Sequence, residues 1–323
     1  MTLHALLAAA TERLQAAHLF YGHGTQSAHD EAAWLVLWRL GLPLDTDTSA
    51  DSEAGQRSLT AEEETAVWAL IDERIATRKP AAYLTREAWL QGVPFYVDER
   101  AIVPRSFIAE LIAQDPAQAS DQANAEGPES LDPWLGPHTQ RVLDLCTGNG
   151  SLAVLAAMAW PDVQVDASDI SPDALAVARI NVERHGLQER IQLLQSDGWQ
   201  AITGRYDLIL CNPPYVSRAA MQSLPAEYLA EPALALDGGA QGADDGMDFV
   251  RHLLAHAPAH MNAGAVLVLE IGNERAHFER AFPRLEAYWP ETSVGTDPVV
   301  LLTQEALQRF FRQQGTLQPE GQP

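Results

Sequence analysis

Apolar residues recur at helical spacing through the first forty positions, with Leu3, Leu6, Leu7 and Leu14 in one group and Trp34, Leu35, Leu37, Trp38 and Leu40 in another. The pattern predicts two helices separated by the break Tyr21-Gly-His-Gly24. Residues 45–58 are polar and hold no large apolar side chain, which reads as a mobile loop. Thr60 with Glu63 three positions on is a capping-box signature. Val67, Trp68, Leu70, Ile71 and Ile75 carry that helix to about Lys79, and Pro80 ends it. Between Ala82 and Val103 short β-prone pieces alternate with turn residues, which predicts a hairpin, and Pro104-Arg105-Ser106 leads into a helix through Leu111 and Ile112.

The period changes after a stretch rich in Asp, Ala, Gln, Gly and Pro at residues 115–138, which reads as a linker. From there β-prone runs alternate with helical ones. The runs are Val142–Cys146, Val163–Ile170, Ile191–Gln195, Tyr206–Cys211, Ala265–Ile271 and Val299–Leu302. Such alternation predicts an α/β domain, a mostly parallel sheet covered by helices on both faces. The expected organisation is a small N-terminal helical domain with a hairpin over residues 1–114, the linker 115–138, the α/β domain over 139–310 and a flexible tail 311–323.

Composition narrows the class of protein. With 323 residues, 46% of them hydrophobic, the chain can bury a sizeable core. No run approaches the ~18 consecutive apolar residues of a membrane-spanning helix, and the N-terminus lacks the basic-then-apolar pattern of an export signal. The two cysteines, Cys146 and Cys211, make neither a disulfide framework nor a metal knuckle, so a reducing cytoplasm is expected. The net charge of −23 is spread over both halves of the chain. That disfavours a nucleic-acid groove, whose affinity rests on phosphate neutralisation, and favours a basic protein partner.

The candidate chemistry centres on Asp207-Leu-Ile-Leu-Cys-Asn-Pro-Pro-Tyr-Val216. Leu208, Ile209 and Leu210 suit a strand buried on both faces, and Pro213 and Pro214 then stop ladder and helix alike. The stiff tip presents the Asn212 carboxamide, the Pro213 carbonyl and the Tyr215 ring with little freedom. Two acceptors beside an aromatic wall suit a planar NH2 group, a poor nucleophile that must be held in line with its electrophile. As an isolated tetrapeptide, Asn-Pro-Pro-Tyr is equally a plain turn.

Upstream, Val142-Leu-Asp-Leu-Cys-Thr-Gly-Asn-Gly150 reads as strand, glycine turn and helix start. Gly148 and Gly150 let the backbone approach a ligand closely. Asp144 and Thr147 belong to the same loop, and Asp169 with Ile170 ends the next strand, where a carboxylate can accept both ribose hydroxyls. Asp197 can accept an adenine amino group and Trp199 can lie on its face. The same spacing fits a dinucleotide fingerprint. The fourth strand tips the reading toward S-adenosylmethionine, because methyl transfer has a use for the Asn212 tip and hydride transfer has none evident.

On these motifs the chain closely resembles the class I methyltransferases that modify the side-chain amide nitrogen of protein glutamine, in particular the branch acting on large-subunit ribosomal protein three. The resemblance is carried by Ala82-Tyr-Leu-Thr85, Phe95-Tyr-Val-Asp-Glu-Arg100, Val103-Pro-Arg-Ser106, Asp144-Leu-Cys-Thr-Gly-Asn-Gly150, Val165 through Leu175, Asn212-Pro-Pro-Tyr215, Leu224-Pro-Ala-Glu-Tyr228 and Glu231-Pro232. It implies a Rossmann-like sheet of seven strands in the order 3-2-1-4-5-7-6, S-adenosylmethionine as cofactor, and a helical domain that helps recognise the protein substrate. It also implies that Asn212 and Pro213 hold the two amide protons while Tyr215 packs beside them, with Pro214 and Arg105 on the substrate side. No membrane partner is expected, and nucleic acid only through a ribosomal assembly intermediate. Asn149 stands where serine is commoner, and the 45–58 and 115–138 stretches are longer than the family usually has.

Other readings stay open. A peptide-chain release factor as substrate, adenine-amino methylation of nucleic acid and a non-catalytic assembly-binding role are the alternatives. His252, His256 and His260 recur at helical spacing, but Pro258 interrupts them and no carboxylate completes a metal set, so no metal is expected. Arg105 reads more as an interface residue than as a substrate ligand, and Glu270 as a local hydrogen-bond partner. Gly238 through Gly246 is either a lid or a connection.

Overall fold

The computed structural model describes residues 1–112, 128–239 and 244–315. Helices Leu3–Ala16, Ala28–Arg39 and Ala61–Thr77 form the N-terminal bundle. Their fully buried Leu3, Leu6, Leu14, Leu35, Leu37 and Ile71 make a core of its own. The capping box is present in both directions: Glu63 N–H donates to Thr60 Oγ1 at 3.2 Å and Thr60 N–H to Glu63 Oε2 at 2.9 Å. That helix stops where Arg78 turns left-handed, at φ 59°. Residues 45–58 are better ordered than their polarity suggested, because Ser52 caps a helical turn at Glu53–Gln56 and Arg57 and Leu59 bond to the backbone of Leu3 and Met1.

The hairpin is short: β1 (Ala88–Leu90) pairs antiparallel with β2 (Val93–Phe95) across Gln91 and Gly92, both at positive φ. Tyr83 and Leu84, expected among the β-prone pieces, lie instead in a helix at Ala81–Thr85. The hairpin's Leu90 and Phe95 pack into a core shared with the sheet rather than with the N-terminal bundle. The helix Ile108–Ile112 closes this region. Of the expected linker, residues 115–127 lie outside the described residues. Residues 128–138 are packed, since Leu131 is buried, its N–H donates to the Leu111 carbonyl, and Trp134 lies 5.2 Å from the Tyr288 ring.

The α/β part follows the predicted alternation closely. Strands β3 (Arg141–Leu145), β4 (Gln164–Asp169), β5 (Ile191–Gln195), β6 (Tyr206–Cys211), β7 (Met261–Glu270) and β8 (Val299–Thr303) lie in the order β5-β4-β3-β6-β7-β8. All neighbours are parallel except β7 and β8. The expected seventh strand is reduced to one bridge, Tyr288 to Leu301, at the outer edge of β8. Its position in the order is retained, but the surrounding prolines Pro283 and Pro290 leave little length for a ladder.

Successive side chains alternate between two buried faces, which is why the strands read as near-continuous apolar runs. Val142, Leu208, Leu210, Val266 and Val268 face the helix Ser151–Ala159 side, whereas Leu143, Leu145, Ile209, Cys211, Leu267 and Leu269 face the core shared with helices Asp248–His256 and Gln304–Gln313. Strand β3 lies between β4 and β6, so chain order reverses there and the carboxyl ends of all three strands open onto one crevice.

Candidate active site

The crevice is a cavity of about 290 Å³. One wall comes from the tips of β3, β4 and β5. After Leu145 the chain turns through Cys146 at φ 64° and Gly148 at φ 56° before the helix begins behind Gly150 at φ 82°. A methyl group at Gly148 would meet no atom within 4 Å, so the loop leaves open room on the cavity side. At Gly150 it would come within 3.1 Å of the Ala178 Cβ, so that glycine serves helix packing. Asn149, the departure from serine, accepts from Ser151 N–H through Oδ1 at 3.2 Å and from Asn181 Nδ2 through its carbonyl at 2.8 Å. Asn181 in turn pairs twice with the backbone of Tyr96, at 2.7 and 2.9 Å, and ties the hairpin segment to the cofactor loop.

Asp169 ends β4 with its carboxylate aimed back at this loop, accepting from Gly148 N–H at 2.9 Å and Ser171 N–H at 2.9 Å. Burial pushes its pKa upward, against the pull of those hydrogen bonds. Asp144 is fully buried, and burial pushes its carboxyl up to about 7 although Thr147 Oγ1 donates to it at 2.5 Å and Ala153 N–H at 3.0 Å. Its Oδ1 is buried without a hydrogen-bond partner among the described residues.

The facing wall carries the acceptor tip. Asn212 and Pro214 line the cavity, as do Pro232, Leu234 and Asp237 from the chain that follows, and Arg100 from the segment after the hairpin. Pro213 is buried, and Tyr215 packs behind the tip with its hydroxyl donating to Glu270 Oε1 at 3.3 Å. Burial, and then the Glu270 carboxyl, raise the pKa of that hydroxyl, so it stays protonated. Three glycines leave Tyr215 no slack. A Cβ at Gly238 would lie 2.7 Å from Tyr215 Cα, one at Gly246 2.3 Å from its carbonyl oxygen, and one at Gly272 2.8 Å from its ring. The chain after the tip is pinned as well, with Val216 N–H donating to Leu236 O at 2.9 Å and Gly238 N–H to Val216 O at 3.0 Å.

The sequence-named residues therefore divide into three groups. Gly148, Asp169, Ile170, Asp197, Asn212 and Pro214 line the cavity; Asp144, Thr147, Gly150, Pro213 and Tyr215 stand behind its walls. Trp199 and Arg105 lie elsewhere. Trp199 is buried in the core, its N–H donates to the Leu253 carbonyl at 3.2 Å and its ring stacks on His260 at 4.5 Å. Phe249, from the helix Asp248–His256, is the aromatic side chain on that cavity wall. The three histidines do not share a helix face, because the helix ends at His256 and tightens into a turn at Ala257–His260. Among the described residues no three His, Cys, Asp or Glu side chains gather as a metal site.

Arg105 sits at the junction of the bundle and the sheet domain. It forms two hydrogen bonds to Glu231, at 2.6 and 2.7 Å, and stacks over the Tyr228 ring at 5.2 Å. Glu231 also accepts from Val103 N–H at 2.9 Å and lies 3.3 Å from His23 Nε2. Nearby, the buried Glu227 meets Arg78 at 3.2 Å and Arg74 at 3.6 Å. Reasoning from the sequence missed Glu231, Phe249, Arg100 and the glycine clamp. Glu231 carried a signal in its pairing with a following proline, but its partner lies 126 positions away.

The Methyltransferase small domain family matches residues 126–239. A ribosomal protein uL3 glutamine methyltransferase from Bordetella pertussis is 50% identical over 309 residues, covering 95% of this chain and 96% of that protein. The chain belongs to the ribosomal protein uL3 glutamine methyltransferase family. Further members from Neisseria meningitidis serogroup B, 46% identical over 95% of this chain and 94% of theirs, and from Burkholderia pseudomallei, 47% identical over 93% and 94%, extend across both the bundle and the sheet domain. No helix among the described residues is long and apolar enough to cross a membrane.

Proposed function

We infer that this chain transfers the methyl group of S-adenosylmethionine to the side-chain amide nitrogen of a glutamine in ribosomal protein uL3. The observation that carries the reading is that Asn212 and Pro214 line the same cavity as Gly148, Asp169 and Asp197 in a chain of this family. The residues fit the cofactor. Gly148 leaves room for its backbone-facing part, Asp169 offers acceptors to ribose hydroxyls, and Asp197 offers one to the adenine amino group. Ile170 and Phe249 supply apolar wall.

Bound there, S-adenosylmethionine supplies a methyl group already activated by the sulfonium charge. The task left to the protein is orientation. Asn212 Oδ1 and the Pro213 carbonyl accept the two N–H bonds of the target amide, and Tyr215 fixes the plane in which that amide lies. Asn212 and Pro214 on the cavity wall keep the nitrogen facing the cofactor side. The displaced amide proton passes to solvent. The chain's net charge of −23 favours encounter with a basic ribosomal protein, in a cytoplasmic setting and with no direct nucleic-acid contact.

The test is transfer of labelled methyl to uL3, a peptide-chain release factor and duplex DNA, each with wild type and Asn212→Ala. Label on uL3 alone, reduced at least about 100-fold in the variant, is expected, since an orienting acceptor is worth roughly that much. Label on the release factor alone would keep the chemistry and overturn the substrate. Label on DNA would overturn both.

A further inference from the structure

Glu270 ends β7 as a fully enclosed carboxyl whose partners are hydroxyls and backbone N–H groups rather than a cation. Its Oε2 accepts from Ser106 Oγ at 2.5 Å and Phe107 N–H at 2.9 Å, with Ile108 N–H at 3.5 Å. Its Oε1 accepts from the Tyr215 hydroxyl at 3.3 Å. One side chain therefore joins three pieces that are 55 or more positions apart in sequence: the end of β7, the tyrosine of the acceptor tip, and the turn by which the bundle enters the sheet domain. Burial is expensive for such a group and pushes its pKa up to about 7. An aliphatic side chain of the same length would fill the space without that cost. What it could not do is fix a register, because dispersion contacts let packed surfaces slide and hydrogen bonds do not.

We propose that Glu270 is a positioning residue for methyl transfer, holding the Tyr215 hydroxyl and the Ser106–Ile108 turn in one register so that the acceptor amide is presented in line with the methyl group. The proposal rests on the amide-methylation reading above. The surroundings of Tyr215 make the hydroxyl a sensitive handle. Gly272 lies directly against the ring and Gly238 and Gly246 against its backbone, and the bond to Glu270 Oε1 anchors the hydroxyl end of the ring. On its other side, the Ser106–Ile108 turn follows Arg105, which is locked to Glu231, and Pro232 and Leu234 just beyond Glu231 form the acceptor wall. Glu270 and Glu231 thus grip the same short segment, 103–108, from both ends, and the wall and the tip are set relative to each other through it. Displacement of the amide by about 1 Å costs on the order of 100-fold in rate.

The experiment measures kcat, KM for uL3 and the dissociation constant of S-adenosylhomocysteine for wild type, Glu270→Gln, Glu270→Met, Tyr215→Phe and the Tyr215→Phe/Glu270→Met pair. Glutamine keeps an oxygen for Ser106 and Phe107 and turns its NH2 toward the Tyr215 oxygen, so it is expected to retain kcat within about threefold. Methionine keeps the length and loses every hydrogen bond, so kcat is expected to fall about 10- to 100-fold while S-adenosylhomocysteine affinity stays within about twofold. Tyr215→Phe is expected to lose about fivefold or more in kcat, and the pair less than the product of the single losses. Wild-type kcat in Glu270→Met, losses that multiply in the pair, or equal losses in Gln and Met would each overturn the proposal. Should Glu270→Met not fold, Tyr215→Phe with unchanged kcat, or Glu270→Gln with a tenfold loss, overturns it. Failure of the substrate reading is separable: wild type would then label the release factor and not uL3, and the same comparisons would be made on that acceptor.

Discussion

Replacing Arg105 with methionine tests whether the junction is held by charge. The Glu231 side chain is completely enclosed, and burial alone would raise its pKa, but His23 and Arg105 more than offset this and hold it at about 2 against an ordinary 4.5. At roughly 1.4 kcal/mol for each tenfold change in proton affinity, the lowering is worth about 3 kcal/mol of folding stability. That figure is shared between His23 and Arg105, whereas breaking a buried pair by removing one partner typically costs about 3–5 kcal/mol because the other charge is left buried and uncompensated. The sign follows from the direction of the shift. A carboxylate whose folded pKa is lowered stabilises fully above its unfolded pKa, so the contribution is complete at pH 7 and is lost as pH falls from about 4.5 toward 2. Arg105→Met should therefore unfold at lower urea than wild type at pH 7, by about 3 kcal/mol, and the gap should close on acidification through that window. The assay is urea unfolding followed by fluorescence at pH 7, 5, 4 and 3. A difference under about 1 kcal/mol at pH 7, or one that stays constant down to pH 3, would refute the reasoning.

Two further outcomes follow from packing. Gly238→Ala should lower kcat/KM for uL3 at least about tenfold, because the new Cβ would lie 2.4 Å from the Gly246 oxygen and 2.7 Å from Tyr215 Cα, and backbone atoms cannot yield as a side-chain end can; normal steady-state kinetics would show that the tip tolerates displacement. Trp199→Phe should cost about 1 kcal/mol of stability through the lost bond to the Leu253 carbonyl and leave S-adenosylhomocysteine affinity within about twofold; a tenfold loss of affinity in calorimetric titration would return Trp199 to the cofactor site.

Much of this protein is local in origin and could be read directly. The strand runs Ile191–Gln195 and Tyr206–Cys211 coincide with the elements found: Leu208–Cys211 is apolar at every position because that inner strand is covered on both faces, and the edge strand is marked by Ile191, Leu193 and Leu194. Thr60 and Glu63 mark a helix start through bonds three residues long. The glycine turn 148–150, Asp169 at a strand end and the rigid Asn212 tip are likewise encoded within a few residues each, and a parallel sheet brings strand ends to one edge without further instruction.

What the tertiary structure decided is which of these residues face each other and what braces them. The sequence pointed to Trp199 as the aromatic wall, and only the packing of the helix Asp248–His256 puts Trp199 in the core and Phe249 on the cavity. Gly238 and Gly246 read as loop freedom, but together with Gly272 they are the absence of side chains around Tyr215. Arg105 with Glu231, and Glu270 with Ser106 and Tyr215, join positions 55 to 164 residues apart. A charge or an acceptor carries no mark of its distant partner; its meaning depends on which group folding places within about 3 Å and on how completely water is removed from the pair.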